Sequence, residues 1–179
     1  ALLLNEDAIN PPNGTDGNRE FIELLAASTG AFSTNGYSLL LIDSSVGGNL
    51  TGNVGRVLEA WDLDGLATGE NGLLLLGDGY PAGGVPWTGA AAPDGQTAFG
   101  DPEGMDPDDI GLDSDNGAVS LLLVKNFTGA AGEDLDIVGG SANAGDGQFD
   151  FTPWSGITDS IAMRFWNAAP DLPPAKLEG

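Results

Sequence analysis

The residues with the clearest capacity for chemistry are oxygen donors in a glycine-rich segment late in the chain. The set is Asp134, Asp136, Asn143, Asp146, Gln148 and Asp150. Calcium in proteins takes about six to eight oxygen ligands, and glycines allow the tight curvature that turns neighbouring oxygens toward one ion. The register is not that of an EF-hand, because no glutamate stands at the twelfth position. We expect a calcium site here; the alternative is a solvated acidic turn whose aspartates accept hydrogen bonds from backbone N–H groups.

Two further acidic groups invite a metal assignment. One is a cluster made of Asp101, Glu103, Asp106, Asp108, Asp109, Asp113 and Asp115. Two like charges about 4 Å apart repel by about 1 kcal/mol even in water, and a bound cation would remove that repulsion. We favour a hydrated acidic surface instead, as in salt-adapted proteins. The other group is Asp62 and Asp64 with Glu70, where Asp64-Gly65 is a turn signal that explains the acids without a metal.

Residue types that are missing narrow the chemistry. The chain contains no cysteine and no histidine, which removes thiolate nucleophiles, imidazole-based triads and nearly all transition-metal sites. Glu6, Glu20 and Glu23 could supply an acid and a base for glycoside cleavage, which needs carboxyl groups about 5 to 9.5 Å apart. Glu20 and Glu23 are three residues apart in a predicted strand, however, and so point to opposite faces. We therefore predict that the protein is not an enzyme.

The charge balance restricts the partners. Five basic residues face 27 acidic ones, for a formal net charge of −22. Nucleic acid is excluded and an anionic membrane surface is repelled, because both require a basic protein surface. An acidic surface attracts cations, and divalent cations most strongly. Divalent cations, a protein partner or a second copy of the chain, and a glycan remain as candidate partners.

The ends of the chain suggest its location and its extent. The sequence opens at Ala1 directly in an apolar stretch, which is typical of a mature N-terminus after signal-peptide removal and equally of a chain cut from a longer one. We expect a secreted or cell-surface protein. The length and the 41% hydrophobic content suffice for one sizeable core, so residues 1–167 are predicted to form one domain. Residues 168–179 are rich in proline and predict a tail or linker.

Short apolar runs, bounded by Gly, Pro, Asn or Asp, recur along the chain and predict strands rather than helices. The expected strands cover residues 1–9, 19–26, 36–43, 54–62, 71–77, 118–125 and 157–165. Asn-Gly pairs at 13–14, 35–36, 71–72 and 116–117 supply the positive φ that tight turns require. The runs 73–76 and 121–124 are apolar throughout, which predicts central strands covered on both faces, as in a sandwich of two sheets.

Two long segments and the aromatic residues complete the pattern. The Gly, Pro, Ala and Asp content of residues 78–117 predicts a long loop without secondary structure. Such loops are usually functional or ordered by a ligand. The segment 129–154 is a second irregular stretch, richer in acid and glycine. The larger aromatics could form a stacking platform for sugars, but burial in the core is the preferred interpretation, with Trp87 in the long loop as the best exception. They are Trp61, Trp87, Trp154, Trp166, Tyr37 and Tyr80.

Several short motifs follow one another along the chain in a distinctive order. The opening motifs are Leu4-Asn5-Glu6, Asn10-Pro11-Pro12, Arg19-Glu20-Phe21-Ile22-Glu23-Leu24 and Asn35-Gly36-Tyr37-Ser38-Leu39. The later ones are Asp62-Leu63-Asp64-Gly65 and the blocks 71–77, 122–130, 132–136, 146–150, 153–154 and 158–162. Together they cover roughly residues 3–165, and their succession resembles that of the lamin-tail-like domains of bacterial secreted and surface proteins.

This resemblance implies an immunoglobulin-like β-sandwich with long acidic, Gly-rich loops, usually an accessory module of a larger extracellular protein. In the family, the block that begins at Asp134 looks like a calcium loop. Here an insertion at 137–145 separates Asp134 and Asp136 from Asp146 and Asp150. The insert at 80–115 is also longer than the family pattern, and the strand that ends at Ala26 lacks the family's usual asparagine.

We therefore expect a non-catalytic extracellular binding or structural module, stabilised by calcium, that contributes to adhesion or assembly on a larger surface protein or filament. Two alternatives stay open at this point. The first is a metal-dependent hydrolase, either a phosphodiesterase or a glycosidase, or an accessory domain of one. The second is a carbohydrate-binding module.

Overall fold

The computed structural model describes residues 1–8, 21–28, 30–44, 54–76, 97–100, 102, 105, 118–137 and 147–164. These residues form eight strands: β1 (Leu2–Ala8), β2 (Phe21–Ala26), β3 (Tyr37–Asp43), β4 (Val57–Asp62), β5 (Leu73–Leu76), β6 (Ala98–Gly100), β7 (Ala118–Lys125) and β8 (Gly156–Arg164). The strands make two four-stranded sheets, in the orders β1-β2-β5-β6 and β4-β3-β7-β8. The described part of the chain contains no helix, so the predicted all-β class is confirmed.

The chain divides into two compact units, the first made of residues 1–37 with 61–113 and the second of residues 38–60 with 114–179. The first unit contains the sheet β1-β2-β5-β6. In it, β1 pairs with β2 and β2 with β5, both antiparallel, and a bulge in β1 falls between Leu4 and Glu6. Its interior is apolar, because Leu2, Ile22 and Leu24 are fully buried.

One strand of the first unit was not predicted. Residues Ala98–Gly100 form β6 and pair in parallel with β5, inside the segment that the sequence predicts to be a loop without secondary structure. That prediction is wrong at this point, and Pro102 and Met105 just beyond β6 are also buried. Three residues are too few to show a strand periodicity, and a parallel pair carries no hairpin turn that would reveal it.

The second unit contains β7, β8 and most of β3 and β4. β7 pairs with β8 in antiparallel register. One core cluster is built by alternate residues of the strands together with one loop residue: Leu40, Ile42, Val57, Leu122, Val124 and Leu135. Half-buried aromatic side chains pack against this cluster, namely Phe127, Phe149 and Trp154.

The apolar runs occupy the centres of the sheets, as predicted. β5 and β7 each lie between two other strands. Residues 74–76 and residues 121–124 are buried at every position, so both faces of these strands are covered. Residues 39–42 of β3 are likewise buried throughout. Continuous apolar runs bounded by turn residues were therefore a correct indication of central strands.

The turns carry the chemistry that the sequence predicts. Gly36 and Gly72 both have positive φ, at 77° and 85°; the Asn-Gly pairs at 13–14 and 116–117 lie outside the described residues. β4 ends at Asp62, and Asp62 accepts the backbone N–H of Asp64 at 3.0 Å. Asp64 in turn accepts the N–H of Gly36. These two aspartates thus have the turn role that was preferred to a metal.

The described aromatic residues are mainly structural. Trp61 is 2% exposed and Tyr37 is 3% exposed, so neither can stack on a sugar, and the core interpretation is confirmed for both. Trp154 is half-buried, in edge-to-face contact with Phe149 at 5.6 Å between ring centroids. Trp87, Trp166 and Tyr80 lie outside the described residues. Within the described residues, no helix has the length and apolar character needed to cross a membrane.

Candidate functional site

The candidate site lies along the outer edge of β4. The segment that begins at the 131–132 turn runs beside this strand: Gly132 donates its N–H to the carbonyl of Val57 at 2.7 Å, and Val57 donates to the carbonyl of Glu133 at 2.8 Å. Asp134 then forms an isolated antiparallel bridge with Arg56. The backbone of residues 132–134 is thereby held against the sheet, and the acidic residues that follow start from a fixed position.

Leu135 fixes the segment 132–136 against the core cluster. Its side chain is fully buried in the core cluster, its N–H donates to the carbonyl of Gly55 at 3.1 Å, and its carbonyl accepts the N–H of Asp150 at 2.8 Å. These two bonds tie residues far apart in the chain to one point. Because Leu135 is flanked by Asp134 and Asp136, burial of the leucine brings both carboxylates to the end of the second sheet.

Gly55 lies in close backbone contact with Asp136. It has φ +88°, and a Cβ built on it would lie 2.6 Å from the Cβ of Asp136 and 3.1 Å from the Asp136 backbone nitrogen. Only glycine fits a position that combines a left-handed backbone with such a contact. The Asp136 side chain is 3% exposed, so a carboxylate sits almost wholly inside the protein where the Gly55 backbone meets residue 136.

Three carboxylates of the site accept hydrogen bonds from backbone N–H groups. Asp134 Oδ1 accepts from the N–H of Asp136 at 3.1 Å, Asp136 Oδ2 accepts from Gly147 at 2.7 Å, and Asp150 Oδ2 accepts from Ile137 at 2.7 Å. The second and third bonds connect the two ends of the 137–147 segment. The arrangement closes this segment at its base and satisfies N–H groups that have no strand partner.

The structure ties part of the predicted ligand set to one short stretch of backbone. Asp134, Asp136 and Asp150 are linked through hydrogen bonds to the backbone of residues 135–137. Gln148 is exposed, and Asn143 and Asp146 lie outside the described residues. Among the described residues no group of three or more acidic side chains is close enough to hold a metal ion. Hard oxygen donors and a buried carboxylate suit calcium, while the bonds to backbone N–H groups are those of the alternative, the acidic turn.

Sequence reasoning missed another carboxylate at the same place. Asp43, the last residue of β3, is fully buried. Its N–H donates to the carbonyl of Arg56 at 2.9 Å and its carbonyl accepts from Gly55 at 2.8 Å. Gly55 therefore contacts Asp43 on one side and Asp136 on the other. An aspartate at the end of an apolar run looks like a surface strand end, so no local signal marked it as buried.

Two of the N-terminal glutamates lie on paired strands. Glu6 of β1 stands directly opposite Glu23 of β2, and Glu23 accepts a hydrogen bond from the side-chain amide of Asn5. Burial, and then the charge of Glu6, raise the pKa of Asp7 above its usual value. Opposed like charges in a sheet destabilise it. Glu20 lies outside the described residues, as does every member of the 101–115 acidic cluster.

Comparison with known proteins finds no family model, no curated protein and no solved structure that matches this chain.

Proposed function

We propose that this chain is a non-catalytic extracellular module of the lamin-tail-like kind, stabilised by calcium, which contributes to adhesion or assembly on a larger surface protein or filament. Its fold in this proposal is an immunoglobulin-like β-sandwich with long acidic, Gly-rich loops. The two four-stranded, mainly antiparallel sheets and the ordered series of family-like motifs support that fold. The net charge of −22 supports cations as partners.

The single observation that carries the calcium proposal is the burial of Asp136 in an acidic loop. An ionised carboxylate that leaves water loses hydration free energy, and hydrogen bonds or a cation must compensate for that loss. Asp136 is 3% exposed, and the Asp134 and Asp150 carboxylates are tied to the same loop by their bonds to Asp136 and Ile137. The proposed ligands are the six oxygen donors named at the outset, Asp134, Asp136, Asn143, Asp146, Gln148 and Asp150.

Thermal unfolding with calcium and with chelator tests this proposal. A ligand that binds only the folded form at about one hundred times its Kd adds about 2.7 kcal/mol of stability. For a chain of this size, about 1 kcal/mol corresponds to about 2–4 °C in Tm. We therefore expect chelation to lower Tm by about 5–11 °C, with recovery when calcium is added back.

Two matched variants locate the effect. D136N keeps an oxygen that can accept the Gly147 N–H but removes the charge, so its Tm should no longer respond to calcium. D64N makes the same change at an exposed turn aspartate that bonds Gly36, and its calcium response should equal that of the parent chain. If the parent chain has the same Tm in chelator and in millimolar calcium, the calcium proposal is wrong and the acidic-turn interpretation replaces it.

A further inference from the structure

The outer edge of β8 is the feature that the calcium proposal leaves unexplained. β8 has nine residues and stands at the end of the order β4-β3-β7-β8. Within the part of the chain that the structure describes, its one neighbouring strand is β7. A long edge strand presents a row of backbone N–H and C=O groups that can template pairing with another chain. Proteins usually prevent such pairing with charges or short edges, so an exception calls for a reason.

The side chains on β8 are unusually apolar for an edge. Ile157 is 44% exposed and Ile161 is 38% exposed, and Ser160 and Ala162 are exposed as well. The strand contains one acidic and one basic residue, so its net charge is zero in a chain of −22. By contrast, the edge strand β1 carries adjacent Glu6 and Asp7, and the edge of β4 is already bonded to residues 132–134.

The backbone of β8 is arranged for pairing over its last seven residues. Leu123 pairs with Asp159 and Val124 with Ile157, which leaves Thr158 as the extra residue of a bulge. From 159 onward the register with β7 is regular. The N–H of Ser160 donates to Oδ1 of Asp159 at 2.9 Å, so we take Ser160, and with it Ala162 and Arg164, to direct their N–H and C=O groups away from β7.

We propose that two copies of this chain pair β8 to β8 in antiparallel register, with the two-fold axis at Ile161. In this register Ser160 of each copy exchanges hydrogen bonds with Ala162 of the other, and the Ala162 carbonyl replaces Oδ1 of Asp159 as the acceptor of the Ser160 N–H. Ile161 packs against Ile161 of the other copy. The stretch 158–164 is centred on Ile161, and Asp159 then stands opposite Met163, so no like charges oppose each other. A neutral edge is where two chains of −22 can approach, because elsewhere their charges repel.

This inference names the partner for the assembly role proposed above and rests on that role, but it does not depend on calcium. Ile161 lies at a non-hydrogen-bonded pair, where opposed Cα atoms are about 4.5 Å apart. A disulfide spans Cα distances of about 4.4–6.8 Å. The chain contains no cysteine, so one introduced thiol reports on this contact without interference.

The experiment compares I161C with I157C under mild oxidation at several protein concentrations. In the proposed register the two 161 positions face each other, whereas the two 157 positions are about 26 Å apart along the strands. We expect I161C to form the covalent dimer about tenfold faster or more. Equal rates for the two variants would mean random collision and would overturn the proposal.

A second variant measures the reversible dimer without a thiol. S160P removes an N–H that points outward, and proline is tolerated on the solvent side of an edge strand. We expect its Tm to stay close to that of the parent and its dimer dissociation constant to rise about tenfold in sedimentation equilibrium, since two hydrogen bonds are lost. A parent that stays monomeric at millimolar concentration would refute the β8 contact.

The failure of this inference is distinguishable from failure of the calcium proposal. If the dimer forms while chelator leaves Tm unchanged, the β8 contact is supported and the calcium proposal is wrong. If the chain stays monomeric while chelator lowers its Tm, the calcium proposal is supported and the β8 contact is wrong.

Discussion

The contact between Gly55 and Asp136 makes a quantitative prediction about the candidate site. We expect G55A to destabilise the protein much more than G65A, although both glycines have nearly the same backbone conformation, with φ +88° and +84°. A Cβ at Gly65 meets nothing within 4 Å, whereas a Cβ at Gly55 lies 2.6 Å from the Asp136 Cβ. G65A therefore measures the cost of the left-handed backbone alone, and G55A measures that cost plus the contact.

The magnitudes follow from these two terms. Alanine in the left-handed region costs about 1–2 kcal/mol relative to glycine. Carbon atoms in contact are about 3.5–4.0 Å apart, so Asp136 must move by about 1 Å to admit a methyl group at Gly55, and overpacking of this kind costs about 1–3 kcal/mol. The expected losses are about 1 kcal/mol for G65A and about 3 kcal/mol for G55A.

Urea and thermal unfolding followed by circular dichroism measure both losses. The Tm of G65A should fall by about 2–4 °C and that of G55A by about 6–12 °C. G147A is a useful third variant, because Gly147 has φ +83° with open space around it and donates to Asp136; it should behave like G65A. If G55A and G65A unfold at the same temperature, the approach of residues 55 and 136 is wrong, and the site built on it fails.

Three further predictions concern other described contacts. Ser44 and Ser120 are buried with their hydroxyl oxygens 2.7 Å apart. S44A and S120A should each lower the free energy of unfolding in urea by about 1–3 kcal/mol, and the double variant should lower it by less than the sum of the two. Additive effects of the two substitutions would contradict the hydrogen bond. Thr34 is fully buried and donates to two backbone carbonyls, so T34V should lower stability by about 1–3 kcal/mol, and a neutral effect would show that neither carbonyl depends on it. The pKa of Asp7 is raised from 3.8 by burial and then by Glu6, so the ionisation of Asp7 lowers the stability of the fold as pH rises through the folded-state pKa. D7N should therefore raise Tm at neutral pH, and the gain should vanish as pH falls below 3.8. A gain of the same size at every pH would exclude this titration as its cause.

Local patterns predicted most of the strands. All seven predicted strands are present, with ends within a few residues of the observed ones. The exception is β6, whose three residues depend on a parallel partner in β5. Residues 134 and 136 were singled out together as metal ligands because they are close in sequence, and that role stays a prediction. Their association with Gly55 was not predictable, since no spacing or motif connects positions that are so far apart.

The sequence alone determined the all-β class, the positions of the central strands and the net charge of −22, because hydrophobic runs, turn residues and charge need no knowledge of partners. The tertiary structure decided which acids are buried and what they contact. Asp43 and Asp136 become neighbours of one glycine because β3, β4 and the loop residue Leu135 share a core. Whether a carboxylate is buried depends on that shared packing, and the residue type alone does not reveal it.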